Sequence, residues 1–526
     1  MNQNEDMGLS IPEQFNMAFY LLEENIVKGR GGKTAIYFKD KQYTFNDLCS
    51  LTNRIGNVLK ELGVEIESRV LLILQDSPEW VAGFFAVLKI GGIATWAYTY
   101  LQPGGYEDYV NLVRPKVIIV DESTLDKVRE GIKLSRYSPV LLAAGHPASI
   151  SGPREHSFHK MVQSANDSLE TEPTSKDDIA FWNFSGGTTG KPKAVPHMHR
   201  DVVFSTEATQ QMVHFTEKDI VLNVPKFFFT YARINGLETP LRAGASVILS
   251  PEKTTAEIIF GLVEKYKPTV LINVPTMMRS MIQMPVSQRS DLKSIRFCLS
   301  SGEALSPQLY HQWMETFGID IVEFIGSAET NAPCLGNKPG EKVLGSTGKV
   351  VPFVKTKILN REGGEVPRGT IGILHVQTDA AGQCYVRLHD KSKETFVGND
   401  WINTSDLFRE DEEGNFWYSG RSDEMVKISG VWVSVLEIER CLETHPAVKE
   451  CVVLGMEDSD GLVKSKAFVA LKEGFDGSNT MADELKQFCK ENLASYKSPK
   501  FIEFLDELPK TGPGKINKLQ LRERGL

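Results

Sequence analysis

Apolar residues in the first half of the chain fall into two patterns. Leu48, Leu51, Ile55, Leu59 and Leu62 stand three or four apart, and Gly63 follows them. That spacing predicts an amphipathic helix ended by a glycine. Val70-Leu71-Leu72-Ile73-Leu74 is instead continuously apolar, as in a strand covered on both faces of a parallel sheet. Val117 to Val120 and Val140 to Leu142 repeat this second pattern, and Val247 to Leu249, Val270 to Ile272, Phe297 to Leu299 and Ile321-Val322 continue it. So many strands, with helical stretches between them, predict an α/β fold with two helix-flanked sheets. The stretch from Trp80 to Trp96 is strongly apolar but contains Lys89 and the pair Gly91-Gly92. It reads as a buried helix and turn, with no membrane span.

The pattern changes twice further on. From about 340 to 420, glycines and prolines punctuate short strands such as Ile373 to Val376 and Tyr385 to Leu388, which predicts a β-rich, barrel-like subdomain. From Asp423, a Ser434/Glu437 capping box precedes a helix that His445-Pro446 ends. Strands at Cys451 to Leu454 and Phe468 to Leu471, a helix near Asp483 to Leu493 and a strand near Phe501 complete a small α+β domain. The expected division is 1–422, with the β-rich subdomain inside it, and 423–526. The 526 residues allow roughly three and a half ordinary domains, so an unequal split of this kind fits the length.

Composition mainly excludes. Lys and Arg number 59 against 68 Asp and Glu, a net charge of −9, which argues against a dedicated nucleic-acid surface. The seven cysteines are scattered, with no C-x-x-C, so neither a disulfide framework nor a cysteine zinc site is indicated. The start, MNQNEDMGLS, has neither the basic nor the apolar region of a signal peptide, so a cytoplasmic location is expected.

The strongest chemical signal is Phe184-Ser185-Gly186-Gly187-Thr188-Thr189-Gly190-Lys191-Pro192-Lys193, directly after an apolar strand-like run. Glycines let backbone N–H groups approach a ligand, hydroxyls add donors, and Lys191 and Lys193 add positive charge. These are the ingredients of a polyphosphate cradle. It is not a Walker A loop, because Ser185 stands where that motif needs its first glycine and Pro192 where it needs Ser or Thr.

Ser-Gly-Gly-Thr-Thr-Gly-Lys-Pro-Lys resembles the signature loop of the acyl-adenylate-forming enzymes, which include acyl- and aryl-CoA ligases, luciferases and peptide-synthetase adenylation domains. Ala194 replaces the glycine more usual after the second lysine. The other family motifs follow in order. Gly326-Ser327-Ala328-Glu329 resembles Tyr-Gly-x-Thr-Glu, with Ile325 for tyrosine and Ala328 for threonine. By that resemblance Glu329 would position Mg²⁺ on ATP. Ser301-Gly302-Glu303-Ala304 is similar to the segment that lies against adenine. Asp406, in Thr404-Ser405-Asp406, would hold the ribose, with Ser405 replacing the family glycine. Gly420-Arg421-Ser422-Asp423 through Lys427, Ser429 and Gly430 resembles the hinge motif. Asp423 would be the pivot of a mobile small domain, Arg421 would reach ribose or phosphate, and Gly430 would leave room for a pantetheine arm. Lys515, in Lys510-Thr511-Gly512-Pro513-Gly514-Lys515, matches the lysine that bridges the carboxylate and the α-phosphate.

The resemblance implies a two-step reaction. A carboxylate attacks the α-phosphate of ATP, pyrophosphate leaves, and a thiol then displaces AMP. Phe227 to Arg233 followed by Asn235-Gly236-Leu237 is similar to the benzoate-CoA ligase branch. No aspartate stands there to hold an amino acid's ammonium, and aromatic residues could flank a planar ring. Phe228, Thr230, Tyr231, Ser301, Gly326, Ala332 and Pro333 are the expected acyl-binding residues. Benzoate-type ligases tend to be bulkier at the positions of Ala332 and Pro333, so the smaller pair favours a substituted ring, anthranilate first, then benzoate and hydroxybenzoates. The chain ends soon after Lys515 with no carrier domain, so the expected acceptor is free coenzyme A, with a separate acyl carrier protein as the alternative. A fatty acyl-CoA ligase and a luciferase-like oxygenase are competing readings. A pseudoenzyme would be expected to have lost Glu329, Asp406 or Lys515, and all three stand. The expected assembly is a monomer or homodimer. His197 and His199 alternate, but with no other ligands clustered near them they read as packing residues.

Overall fold

The first amphipathic run forms the helix Phe45–Glu61. Thr44 Oγ1 accepts from the Asp47 N–H at 3.1 Å, and Asp47 accepts from the Thr44 N–H at 2.9 Å. This reciprocal cap satisfies donors that a helix start leaves over. Phe45, Leu48, Ile55, Val58 and Leu59 form the buried stripe. Gly63 ends the run at φ 78°, a left-handed conformation open to glycine. The computed structural model describes residues 9–525 except 145–149, 151, 187–190, 304, 399, 423–424, 429–430, 458–462, 495–496 and 511–515.

The apolar stretch after Trp80 is the buried helix Pro78–Lys89, capped by Ser77 on the Trp80 N–H at 3.2 Å. Lys89 is buried with it and pairs with Glu23 at 2.7 Å. The sequence predicted only a turn beyond the helix. The turn is confined to Ile90-Gly91, and Ile93–Trp96 is a strand in parallel register with Arg69–Ile73. Among the described residues no helix is long and apolar enough to cross a membrane.

The continuous apolar runs are strands of two mixed sheets, and the fold is α/β. The seven-stranded sheet runs Glu155–Ser157, Val140–Ala144, Val117–Asp121, Arg69–Ile73, Ile93–Trp96, Ile179–Gly186, Pro192–Met198. Only the last pair is antiparallel. The nine-stranded sheet runs Lys349–Val350, Pro333–Gly336, Ile321–Gly326, Phe297–Ser300, Val270–Asn273, Ile220–Asn223, Ser246–Leu249, Thr34–Phe38, Lys41–Thr44. Its inner strands are parallel and its flanking strands antiparallel. Ligands of open α/β sheets gather at strand C-terminal ends, here Asn223, Asn273, Ser300, Gly326 and Gly186.

The β-rich segment is a five-stranded sheet, Val354–Leu359, Gly372–Thr378, Trp401–Glu410 and Phe396–Val397 in order, with Phe416–Arg421 also on Trp401–Glu410. Tyr385 to Leu388, predicted as one of its strands, is not a strand. Arg387 adopts φ 60°, which breaks an extended run, and the Val386 N–H donates to Ala194 O at 2.9 Å. The alternating residues dock on the Ile179–Met198 hairpin instead of pairing in the barrel-like sheet.

The chain divides into two compact units, Met1–Thr356 with Val376–Asn403, and Lys357–His375 with Thr404–Leu526. The expected boundary at 422/423 falls inside the second unit. That unit contains the small α+β domain: the sheet Val448–Glu457, Val463–Leu471, Phe501–Phe504 and the helices Val435–Glu443 and Asn479–Asn492. The predicted capping box does not form. Ser434 donates its hydroxyl to Ser419 O at 2.8 Å, and Glu437 pairs with Lys497 at 2.6 Å. Both polar groups are taken by tertiary partners.

Candidate active site

In the first unit, Ile179–Gly186 and Pro192–Met198 form the hairpin that carries the glycine-rich loop, with Ser185 opposite Lys193. Gly187, Thr188, Thr189 and Gly190 lie outside the described residues. Lys191 is exposed and 3.4 Å from Asp108. The Nζ of Lys193 stands 5.1 Å from the centre of the Tyr385 ring.

The strand Ile321–Gly326 ends on the glutamate turn. Ser327 Oγ accepts from the N–H groups of Glu329 and Thr330, each at 3.2 Å, and the Ser327 N–H donates to Thr330 Oγ1 at 3.0 Å. Such a side-chain-braced turn fixes the residue between its partners. A Cβ on Gly326 would lie 2.4 Å from the Ala332 carbonyl oxygen, so only glycine lets the chain pass. Glu329 is buried. Its Oε1 accepts from the Tyr385 hydroxyl at 2.6 Å, and its carbonyl accepts from the Gly382 N–H at 2.8 Å. Burial, and then the Glu329 charge, push the Tyr385 phenol well up, so it stays a donor. Sequence reasoning missed Tyr385 entirely, because nothing in a short run read as a strand marks one tyrosine.

A carboxylate oxygen is the donor type Mg²⁺ takes, and a hydrogen bond to one oxygen of Glu329 leaves the other for a ligand. No group of three His, Cys, Asp or Glu among the described residues could hold a metal. The chemistry of the Glu329 carboxylate, one oxygen held by Tyr385, is compatible with a metal ligand.

Behind this turn lies a buried polar network. Asn183 interrupts an apolar strand, and such a residue needs partners. Its Nδ2 donates to Asn331 Oδ1 at 2.9 Å and to Ala328 O at 3.2 Å. Arg233, fully buried, donates from Nη2 to Asn331 Oδ1 at 2.9 Å and to Asn183 Oδ1 at 3.0 Å, and from Nη1 to Glu238. Its guanidinium lies 4.3 Å from the Phe181 ring centre and 5.1 Å from that of Trp96. Removing one partner of such a pair leaves an uncompensated buried charge, about 3–5 kcal/mol. His197 joins from the other side. Its Nε2 meets Ala328 O at 2.8 Å and its Nδ1 meets Asp201 at 3.1 Å, so it is a packing and hydrogen-bonding residue. His199 accepts from the Met17 N–H at 3.1 Å, and burial pulls it down to about 3.

The acyl segment is fixed by its backbone. The Phe227 N–H donates to Asp76 at 3.2 Å, and Trp96 Nε1–H donates to Phe228 O at 3.0 Å. Phe228 packs edge-on against Tyr98, with centroids 4.9 Å apart. Thr230 begins the short helix Thr230–Arg233. Tyr231 donates its hydroxyl to Leu299 O at 2.7 Å and to Asn273 O at 3.1 Å, at two strand ends of the nine-stranded sheet. Ser301, Ala332 and Pro333 are buried. Gly302 adopts φ 86°, and Glu303 accepts from Thr276 Oγ1 at 2.8 Å. Ala304 lies outside the described residues.

In the second unit, Asp406 stands opposite Arg421 in strand register and pairs with its Nη1 at 3.2 Å. Ser405 has φ 60°, a conformation glycine adopts readily, which accounts for the glycine the related motif carries there. Lys427 lies on Met425–Ile428, opposite Trp432. Asp423, Ser429, Gly430 and Lys515 lie outside the described residues. Thus Ser185, Lys193, Glu329 and Tyr385 are brought together in one unit, and Asp406 and Arg421 in the other.

Residues 22–386 match the AMP-binding enzyme family, and residues 437–515 match the AMP-binding enzyme C-terminal domain. The chain belongs to this family and is an AMP-forming acid–thiol ligase. Within it, the chain is 34% identical to a benzoate–CoA ligase of Thauera aromatica, over 99% of this chain and 98% of the relative. The crystal structure of the anthranilate CoA ligase AuaEII in complex with anthranoyl-AMP superposes with a TM-score of 0.89 at 34% identity, over 98% of each chain. A benzoate CoA ligase from Burkholderia xenovorans LB400 gives 0.87 at 34% identity, over 97% of this chain and 100% of the other.

Proposed function

We propose that this acid–thiol ligase is an aryl-CoA ligase, with anthranilate its favoured acid, ahead of benzoate and hydroxybenzoates. The observation that carries the reading is the pair Ala332 and Pro333, both buried directly after the glutamate turn at positions where benzoate-type ligases tend to be bulkier. Likeness to relatives named as benzoate–CoA, hydroxybenzoate–CoA and anthranilate CoA ligases supports an aromatic acid.

The chemistry brings two anions together. The acid's carboxylate attacks the α-phosphate of ATP and pyrophosphate leaves. Lys191, Lys193 and Lys515 offset the mutual repulsion, and backbone N–H groups from Gly186 to Gly190 hold the phosphates. Mg²⁺, held by Glu329, would supply further charge neutralisation on the phosphates. Tyr385 keeps the Glu329 carboxylate oriented. By their match to the family motifs, Gly302, Glu303 and Ala304 are assigned to adenine, and Asp406, paired with Arg421, to the ribose hydroxyls. In the second step the thiolate of coenzyme A attacks the acyl carbonyl and AMP leaves; Lys427, Ser429 and Gly430 are the residues we assign to coenzyme A by their match to the hinge motif.

A panel of aryl and straight-chain fatty acids in a pyrophosphate-release assay tests the substrate class. Highest kcat/KM for anthranilate or another aryl acid supports it, and a preference for a fatty acid overturns it.

A further inference from the structure

We propose that Arg233 is a positioning residue that sets the wall of the acyl pocket. It acts through Asn331, and with Glu238 it fixes the turn that carries Glu329 and then Ala332 and Pro333. This rests on the reading of Ala332 and Pro333 as acyl-binding residues.

The geometry begins with the backbone of Asn331, held at φ 45°. Asparagine adopts this left-handed conformation more readily than most side-chain-bearing residues. It is held there by its own side chain. Oδ1 accepts from both Asn183 and Arg233, each at 2.9 Å. Three residues earlier, Ala328 O accepts from Asn183 at 3.2 Å and meets His197 at 2.8 Å. Both flanks of Glu329-Thr330 are therefore tied to one buried network, which approaches from the side of Phe181 and Asn183.

The next residue is the pocket wall. Ala332 O accepts from Thr330 Oγ1 at 3.1 Å and lies 2.4 Å from where a Cβ on Gly326 would stand. With the chain that tight, a rotation at Asn331 moves Ala332 and Pro333 directly.

Arg233 also adjoins the other segment read as acyl-binding. It lies two residues after Tyr231, whose hydroxyl is pinned at two strand ends. Ile234–Glu238 continues the helix as one wide turn of the π type. Wide turns of this type recur at functional sites. This one lets residues five apart, Arg233 and Glu238, meet where an α-helix would point them apart. Glu238 then holds the guanidinium by one nitrogen while the other serves Asn331. The arginine thus links the Tyr231 wall to the Ala332 wall and sets the gap between them.

A buried ion pair could instead serve stability alone, and a double-mutant cycle separates the two roles. Three variants are compared with the wild type: the charge-balanced R233M/E238Q, N331G, and the combination of all three substitutions. The acid is whichever gives the wild type its highest rate, and the probe is its non-hydrolysable sulfamoyl-adenosine analogue, titrated by calorimetry. R233M/E238Q and N331G are each expected to bind the analogue roughly tenfold more weakly, with the combination no weaker than either. The acid KM is expected to rise and the coenzyme A KM to stay, and R233K to recover only part of the loss. Unchanged affinity in R233M/E238Q, or losses that multiply in the combination, would overturn the proposal. If R233M/E238Q does not fold, unchanged affinity in N331G does the same. A wild type that turns over an acid other than an aryl acid refutes the substrate reading and leaves this test intact.

Discussion

The hydroxyl of Tyr385 donates to Glu329 Oε1 at 2.6 Å, within the range of a charge-assisted O–H···O⁻ bond. Such bonds contribute about 1.5–3 kcal/mol. Tyr385→Phe keeps the ring beside Lys193 and removes the hydroxyl that donates to Glu329 and also meets Thr395 and Ser185. It is expected to lower kcat/KM for ATP by roughly ten- to a hundredfold, to raise the Mg²⁺ concentration for half-maximal rate, and to lower the melting temperature by no more than a few degrees. Steady-state kinetics at varied ATP and Mg²⁺ check this. An unchanged Mg²⁺ dependence would separate Tyr385 from the function of Glu329.

Asp76 accepts from the Phe227 N–H at 3.2 Å. Burial pushes its carboxyl up to about 6, against the nearby Lys226 charge, and burial likewise pushes Asp121 up to about 6. An unfolded aspartate titrates near 3.9. Between these values the folded state holds the extra proton, so this contribution to stability is complete below about pH 4 and is lost as pH rises through 6. Asp76→Asn removes that titration and keeps an acceptor for Phe227. It is expected to flatten the fall in stability between pH 4 and 7 and to stabilise the protein at pH 7.5 by on the order of 2 kcal/mol. Denaturant melts at pH 4.5 and 7.5 measure both.

Ser405 occupies a left-handed conformation at φ 60°. A side chain costs about 1–2 kcal/mol there, and glycine avoids that clash at a smaller entropic cost of about 0.5–1 kcal/mol. Ser405→Gly is expected to raise the midpoint of thermal unfolding by a few degrees with Asp406 still paired to Arg421. A lower midpoint would show that the serine side chain contributes more than the backbone strain costs.

Lys515→Ala is expected to abolish adenylate formation from acid and ATP while sparing thioester formation from supplied acyl-AMP. The measurement is each half-reaction run separately. Equal loss in both would rule out a division of labour between the two steps.

The sheets were legible because burial on both faces demands unbroken apolar runs, as at Val70 to Leu74 and Val270 to Ile272. Glu329 and the glycine-rich loop were legible because their chemistry fixes residue types at short spacing. Tyr385, Asn183 and Arg233 were not, since their partners lie far away in sequence and only the folded sheets bring them to the glutamate turn. Asn183 left a trace as a polar residue inside an apolar strand. The Ser434 cap failed for the converse reason: a local pattern was outcompeted by tertiary partners.

The most direct measurement is AMP formation from ATP and anthranilate or benzoate, with and without coenzyme A, with the product identified by mass. Without coenzyme A an aryl-CoA ligase stops at about one aryl-AMP and one pyrophosphate per site, and AMP appears only slowly as water hydrolyses that adenylate. With coenzyme A, AMP and aryl-CoA form continuously in equal amounts. Turnover that coenzyme A leaves unchanged but a carrier protein accelerates, or aryl acids that yield no AMP while fatty acids do, would contradict it.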